Sequence, residues 1–147
     1  MKTLIATLSV LLGLTSGGAH GAGRGIEHRQ VTVEAANDEW TSTDLKLQQG
    51  DLLVVLATGT VTVGSLLGEV GPDGVAGTRT GEGTLQLKVG ASTTFKVGSN
   101  FTVTDQVGTV KVRVSDSKYA DNKGQFAVRL IQIPEDVVPP AKPIAAE

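Results

Sequence analysis

The feature that most narrows what this chain can become is apolar–polar alternation with a period of two. Val31 and Val33 alternate in QVTVEA, Leu45 and Leu47 in TDLKLQQGD, and Leu85, Leu87 and Val89 in TLQLKVG. Phe95 and Val97 follow in TFKVG, Phe101 and Val103 in NFTVTD, and Val110, Val112 and Val114 alternate with Lys111 and Arg113. Phe126, Val128 and Leu130 then alternate with Ala127 and Arg129. Successive side chains of a strand point to opposite faces, so each segment offers one face to a core and one to water. LLVVLATG, from Leu52, departs from this as a continuous apolar run, the pattern of a strand buried on both faces, and Thr60 to Val63 continue it. Gly50, Gly59, Gly90, Gly98, Gly108 and Gly124 punctuate the strands. No segment after the first 22 residues repeats with a helical period. The pattern predicts an all-β fold, an antiparallel β-sandwich.

The two ends differ from this domain. Lys2 precedes the apolar run LIATLSVLLGL, Leu4 to Leu14, and the small residues of TSGGAHGAG come next. That order predicts a secretory signal peptide over 1–22, cleaved between Ala19 and Ala22. The run is too short to cross a bilayer, which takes about 20 apolar residues. Gly21 to Gly25 reads as a flexible lead-in, the sandwich occupies 23–134, and the proline-rich 135–147 reads as an extended tail. Without cysteine there is no disulfide, thiolate metal site or acylated lipid anchor. The formal net charge is −2, from 13 basic and 15 acidic side chains mixed along the chain. With no basic stripe to grip phosphates, and with one Trp, one Tyr and three Phe to stack bases, nucleic-acid binding is not expected. The predicted location is secreted or periplasmic. The long VGSLLGEVGPDGVAGTRTGEG, Val63 to Gly83, has loop composition, and loops of that length are usually functional or mobile.

The segment SDSKYADNKGQF, Ser115 to Phe126, carries the chemistry. Asp116 continues the inward parity of Val110, Val112 and Val114, and a buried carboxylate needs a partner. Asp121 and Asn122 return on the same hairpin. Facing carboxylates repel unless a cation lies between them, and Ca²⁺ takes six to eight oxygens from carboxylates, amides and carbonyls. Asp, Asn and Gly are equally the residues of an ordinary solvated turn. The spacing alone favours the turn.

A resemblance shifts that balance. VTVEAANDEW with TDLKLQQGDLLVVLATG, then VGPDG, GTLQLKVGASTTFKVGSNF, GTVKVRVSD and YADNKGQFAVRL follow one another in order. Together they resemble the PA-IL-like bacterial lectins, calcium-dependent galactose-binding β-sandwiches of jelly-roll-like, galactose-binding-domain-like form. The match covers nearly the whole domain.

The resemblance implies a calcium site and its ligands. Asp116 matches the family's strand-end aspartate, and Asp121 and Asn122 match its adjacent asparagines, the first being a carboxylate here. A loop carbonyl is expected from Lys118, in a loop somewhat shorter than the family's. The remaining carbonyl, from a tyrosine in the family, falls on Val63. A sugar site is less legible. The family's histidine and glutamine have no counterpart in GPDGVAGTRTGEG, where Thr78 stands near the histidine, and Val70 replaces a tryptophan. Asp73 and Arg79 are the polar candidates there, with Glu82 beside them, and Tyr119 either lines the ligand site or caps the hairpin.

Other residues read as structural. His20 and His28 lack ligand-spaced partners. Trp40 reads as core packing ahead of a sugar platform. Asn100-Phe101-Thr102 fits a glycosylation sequon. No nucleophile arrangement is present, so an enzyme is not expected. The leading expectation is an exported module that binds a carbohydrate, galactose or another hexose, through Ca²⁺, as a homo-oligomer or a single chain. The competing one is a structural or adhesion sandwich whose ion only stiffens the 115–126 hairpin.

Overall fold

The computed structural model describes residues 23–76, 81–91 and 93–137. The expected signal peptide, Thr78, Arg79 and the tail beyond residue 137 lie outside these residues. The alternating segments form strands β1 (Glu27–Glu34), β2 (Thr41–Leu47), β3 (Leu52–Thr62), β4 (Glu69–Val70), β5 (Leu85–Val89), β6 (Thr93–Lys96), β7 (Asn100–Val103), β8 (Gly108–Val114) and β9 (Lys123–Ile133). One sheet runs β1-β9-β3-β4 with β7 also on β3, and the other runs β2-β8-β5-β6. Every pairing between them is antiparallel. The inward faces meet in one core that includes Val33, Leu45, Leu53, Leu87, Val112 and Phe126. This is the antiparallel β-sandwich that the period of two requires.

β9 is the centre of the first sheet. It pairs with β1 from Glu34↔Gln125 to Glu27↔Gln132, and with the whole of β3 from Thr62↔Lys123 to Leu52↔Ile133. Gly124, the second residue of this strand, has φ +85°, and a Cβ there would stand 2.7 Å from the Thr60 carbonyl oxygen. Only glycine lets the backbones come this close at that turn.

Several expectations are corrected. β3 is not buried on both faces: Leu53 and Val55 are in the core, whereas Val54 is half-exposed and Leu56 is 40% exposed on the outer face. The apolar run exceeds what the core uses. The run and Thr60–Thr62 form one strand, and the long loop contains the short β4 on its end. Asp116 does not continue the inward parity. β8 ends at Val114, after which the buried position is Ser115 and Asp116 is half-buried.

Trp40 is also not in the core. It lies half-exposed, with the Arg113 guanidinium 4.4 Å from its ring centroid and Lys88 Nζ 5.7 Å away. These cations stack on the ring in the manner of cation–π contacts.

The lead-in is pinned rather than loose at Arg24. Its Nη1 and Nη2 donate to Asp51 Oδ2 and Oδ1 at 2.9 and 2.6 Å. Asp51 is fully buried and also accepts from the Gln48 N–H and Gln132 Nε2 at 2.8 and 2.7 Å. The Arg24 bonds, joined by those from Gln48 and Gln132, hold this carboxyl below the ordinary carboxylate range against the opposing effect of burial.

Candidate functional site

Where β3 ends, the chain turns through Gly64 at φ +61°, a left-handed conformation that favours glycine. The turn brings the loop Gly64–Gly68 against the hairpin between β8 and β9. Asn122 fastens the two. It is buried, its Oδ1 accepts from the Gly64 N–H at 3.1 Å, and its Nδ2 donates to the Ala35 carbonyl at 3.1 Å. The reverse amide orientation would set donor against donor at Gly64, so these partners fix which end of the side chain is oxygen.

The hairpin is shaped by its own polar groups. Asp116 Oδ1 accepts from the N–H groups of Ser117 and Lys118 at 2.6 and 3.2 Å, an Asx turn that reverses the chain after β8. Tyr119, Ala120 and Asp121 make a single 3₁₀ turn, closed by the Asn122 N–H donating to the Tyr119 carbonyl at 3.1 Å. The Tyr119 hydroxyl donates to the Val114 carbonyl at 3.0 Å and accepts from the Asp116 N–H at 3.3 Å. Both of its roles are taken by backbone. Of the two readings of Tyr119, capping the hairpin is the one its bonds express.

Between loop and hairpin lies an open depression of about 360 Å³. It is lined by Val63, Gly64, Asp116, Lys118 and Asp121, together with Ser65, Leu66, Leu67, Ser117 and Glu82. Four of the expected ion-site residues therefore share one place, and the fifth, Asn122, is bonded directly behind it. Lys118 contributes something its backbone carbonyl did not suggest. Its ammonium lies 3.3 Å from Asp121 Oδ2, on side chains that are 73% and 39% exposed. An exposed pair of this kind contributes little to stability.

The donor set fits a hard cation. Among the described residues no three of His, Cys, Asp and Glu form a metal-holding group by themselves. An ion here would draw on two carboxylates, the second lone pair of Asn122 Oδ1 and main-chain carbonyls. Among the described residues Asp116 Oδ2 accepts no hydrogen bond, and the Asp121 carboxylate is paired with the exposed Lys118 ammonium. These are oxygens of the kind Ca²⁺ takes, with no nitrogen or sulfur to favour a softer metal.

The sugar candidates on the long loop are not all here. Asp73 does not line this depression. Its Oδ1 accepts from the Ser99 N–H and hydroxyl at 2.8 and 3.2 Å, so it ties its loop to the turn before β7 beside Thr84, Lys96 and Gly98. Arg79 is outside the described residues. Glu82 is the acidic side chain of that loop that reaches the depression. Leu66 and Leu67 were not singled out from sequence. In an all-β chain a pair of leucines reads first as core, yet Leu66 is 95% exposed.

No protein-family model matches the chain, and no curated protein matches it. Among solved structures, it is similar to the N-terminal domain of EclA, described as a PllA-like lectin, at 28% sequence identity. The match has a TM-score of 0.60 and covers 71% of this chain and 96% of that one. The fold is that of a PA-IL-like lectin. The resemblance read from the ordered segments and the sandwich built from the strands thus agree. None of the described helices is long and apolar enough to cross a membrane.

Proposed function

We propose that this protein is a carbohydrate-binding lectin module whose binding depends on Ca²⁺ held between the β3 loop and the β8–β9 hairpin. The observation that carries the proposal is the convergence of Asp116, Asp121, Lys118 and Val63 on one depression backed by Asn122. Likeness to a PllA-like lectin supports the carbohydrate part of the reading.

When bound, the ion would supply a Lewis-acidic centre for two neighbouring hydroxyls of a sugar. Asp116, Asp121 and Asn122 would hold it with side-chain oxygens, and Val63 and Lys118 with carbonyls. The chain's own residues do the rest. Asn122 fixes the distance between the loop and the hairpin. Asp116 sets the turn that presents Asp121. Glu82, which lines the same depression, would accept hydrogen bonds from further hydroxyls and so orient the ring. An extra carboxylate at position 121 strengthens the attraction for a divalent cation. An exported protein fits this use, because calcium is plentiful outside the cytoplasm.

Asp121→Ala tests the reading with least disturbance, since that side chain's described partner is an exposed lysine. The variant should lose Ca²⁺ affinity and sugar binding together while keeping its circular dichroism spectrum. Tyr119→Phe should keep both, because its hydroxyl faces the backbone. Sugar binding retained in Asp121→Ala would reject the site.

A further inference from the structure

We propose that the outer face of the β2-β8-β5-β6 sheet is a second binding surface, which takes an acidic polysaccharide, a chain of sugars bearing carboxylate or sulfate groups. The proposal goes beyond the lectin reading above and needs neither the ion nor the depression.

Segregation of charge carries it. The chain as a whole is acidic, at −2. The outward strand positions of this sheet nevertheless hold Lys46, Lys88, Lys96, Lys111 and Arg113, against one acid, Asp44, on the edge strand β2. Each of these five cations stands between two apolar residues of its own strand, so the sequence contains no basic run. Strand pairing assembles one. Lys111 lies directly opposite Lys88 in the β8–β5 ladder, and Arg113, Gln86 and Lys96 form the next row across three strands. Directly opposed residues have Cβ atoms about 4.5–5.5 Å apart, and like charges so placed destabilise a sheet. Lys88 and Arg113 also converge on one ring, that of Trp40, at 5.7 and 4.4 Å from its centroid. Among the described residues no carboxylate forms an ion pair with any of the five. Crowded cations without a counter-charge attract an anion, and one that binds here relieves their repulsion.

The rest of the face selects the kind of anion. Gln86, Ser42 and Thr94 lie among the cations and offer neutral groups to hydroxyls. Arg113 Nε donates to Gln86 Oε1 at 3.2 Å, which leaves the Gln86 amide N–H groups and the terminal guanidinium N–H groups for a ligand. A lipid surface calls for apolar side chains to insert, and the outward positions of these strands supply none. A single-stranded nucleic acid gains from aromatic rings open to its bases, and Trp40 is occupied by two cations. Arg113 and Lys96 stand two strands apart, about 9–10 Å, a spacing comparable with the length of a disaccharide. An extended sugar chain with a charge on its repeating units matches a flat face of this kind.

The test is calorimetry of the protein in chelator, which silences any calcium site, with alginate oligosaccharides, dextran sulfate and uncharged dextran. An acidic polymer should bind, uncharged dextran should not, and the affinity should fall steeply as salt is raised. Binding of alginate alone would identify carboxylate as the group recognised, and binding of dextran sulfate alone would identify sulfate. Replacing Lys88→Gln and Lys111→Gln together should weaken binding roughly tenfold. The melting temperature of that variant should hold or rise, because an opposed pair of like charges is gone. Arg129→Gln is the control, since Arg129 is exposed on the outer face of the other sheet, and it should bind as the wild type does. Failure of both acidic polymers to bind, binding unchanged in the double variant, or an equal loss in Arg129→Gln overturns the proposal. Binding of phosphatidylglycerol vesicles or of a single-stranded oligonucleotide in place of the polymers overturns it in favour of a lipid surface or a nucleic acid. Each of these results leaves the calcium-dependent reading where its own test puts it.

Discussion

Asn122 joins segments far apart in sequence through one amide, accepting from the Gly64 N–H and donating to the Ala35 carbonyl. Removing it leaves a buried acceptor and a donor without partners, so Asn122→Ala should cost about 1–3 kcal/mol in chemical denaturation. The same change should weaken Ca²⁺ binding, because loop and hairpin lose their spacer. Tyr119→Phe removes the hydroxyl's bonds to the Val114 carbonyl and from the Asp116 N–H and should cost about 0.5–1.5 kcal/mol, with calcium and sugar titrations unchanged. A loss of sugar affinity in that variant would mean that the ring itself touches ligand. Asp116 behaves differently from Asp121. Its Oδ1 already holds the Asx turn, so Asp116→Ala should lower the melting temperature even in chelator, and further in calcium. That two-part loss was not readable from spacing, which gave Asp116 as an inward-facing ligand and could not show where β8 stops. What the residue types did carry was the oxygen chemistry: two aspartates and an asparagine within one turn remain close however the turn is built.

At the scale of elements, the strands were legible and their surroundings were not. Alternation marks the inward residues of β5 and β8, and those of β9 as far as Leu130, because a face against the core favours apolar groups; the β9 series ends on buried Gln132, whose amide is bonded to Asp51. The outward face obeys no such rule. β3 therefore carries Leu52, Val54 and Leu56 outward without a layer over them, and its continuous apolar run misleads about burial. Trp40 misleads in the same way, since its packing partners are the cations Arg113 and Lys88 on an outer face. The lead-in is the clearest case of a long-range contact that local composition hides: Gly-Arg-Gly reads as flexible, yet Arg24 closes on Asp51, 27 residues away. Arg24→Ala should lower the melting temperature at neutral pH by leaving a buried carboxylate with amide partners only. The sign of its pH dependence follows from the depressed pKa of Asp51. The clamp's contribution is complete above the carboxyl's unfolded value, about 3.9, and is lost as pH falls through its lower folded value. The melting difference between wild type and Arg24→Ala should therefore shrink in acid. A difference that is constant from neutral pH to below pH 3 would show that the carboxylate charge is not what Arg24 stabilises.

For the whole molecule, a core shared by two sheets sets the stability, and the depression between the β3 loop and the β8–β9 hairpin provides the proposed site. Phe126 is fully buried at the centre of this core, on the strand that pairs with both β1 and β3. Phe126→Ala should cost about 3–5 kcal/mol and lower stability in calcium and in chelator alike, which separates core from site. The proposed ion binding would act as linkage instead. A cation that binds only the folded chain stabilises it by about 2.7 kcal/mol at a hundredfold excess over its dissociation constant. If the ion only stiffened the hairpin, that stabilisation would be its sole effect, and sugars would add nothing to it. The order of segments made the lectin fold legible, whereas the walls of the depression were not, because Leu66, Leu67 and Glu82 come from a long loop whose path no periodicity encodes. The most direct measurement is isothermal calorimetry of a monosaccharide series against the protein, first in calcium and then after exchange into chelator. The account expects binding that is weak, with dissociation constants nearer millimolar than micromolar, roughly −4 kcal/mol, and that disappears once the ion is removed. Sugar binding undiminished in chelator would contradict it.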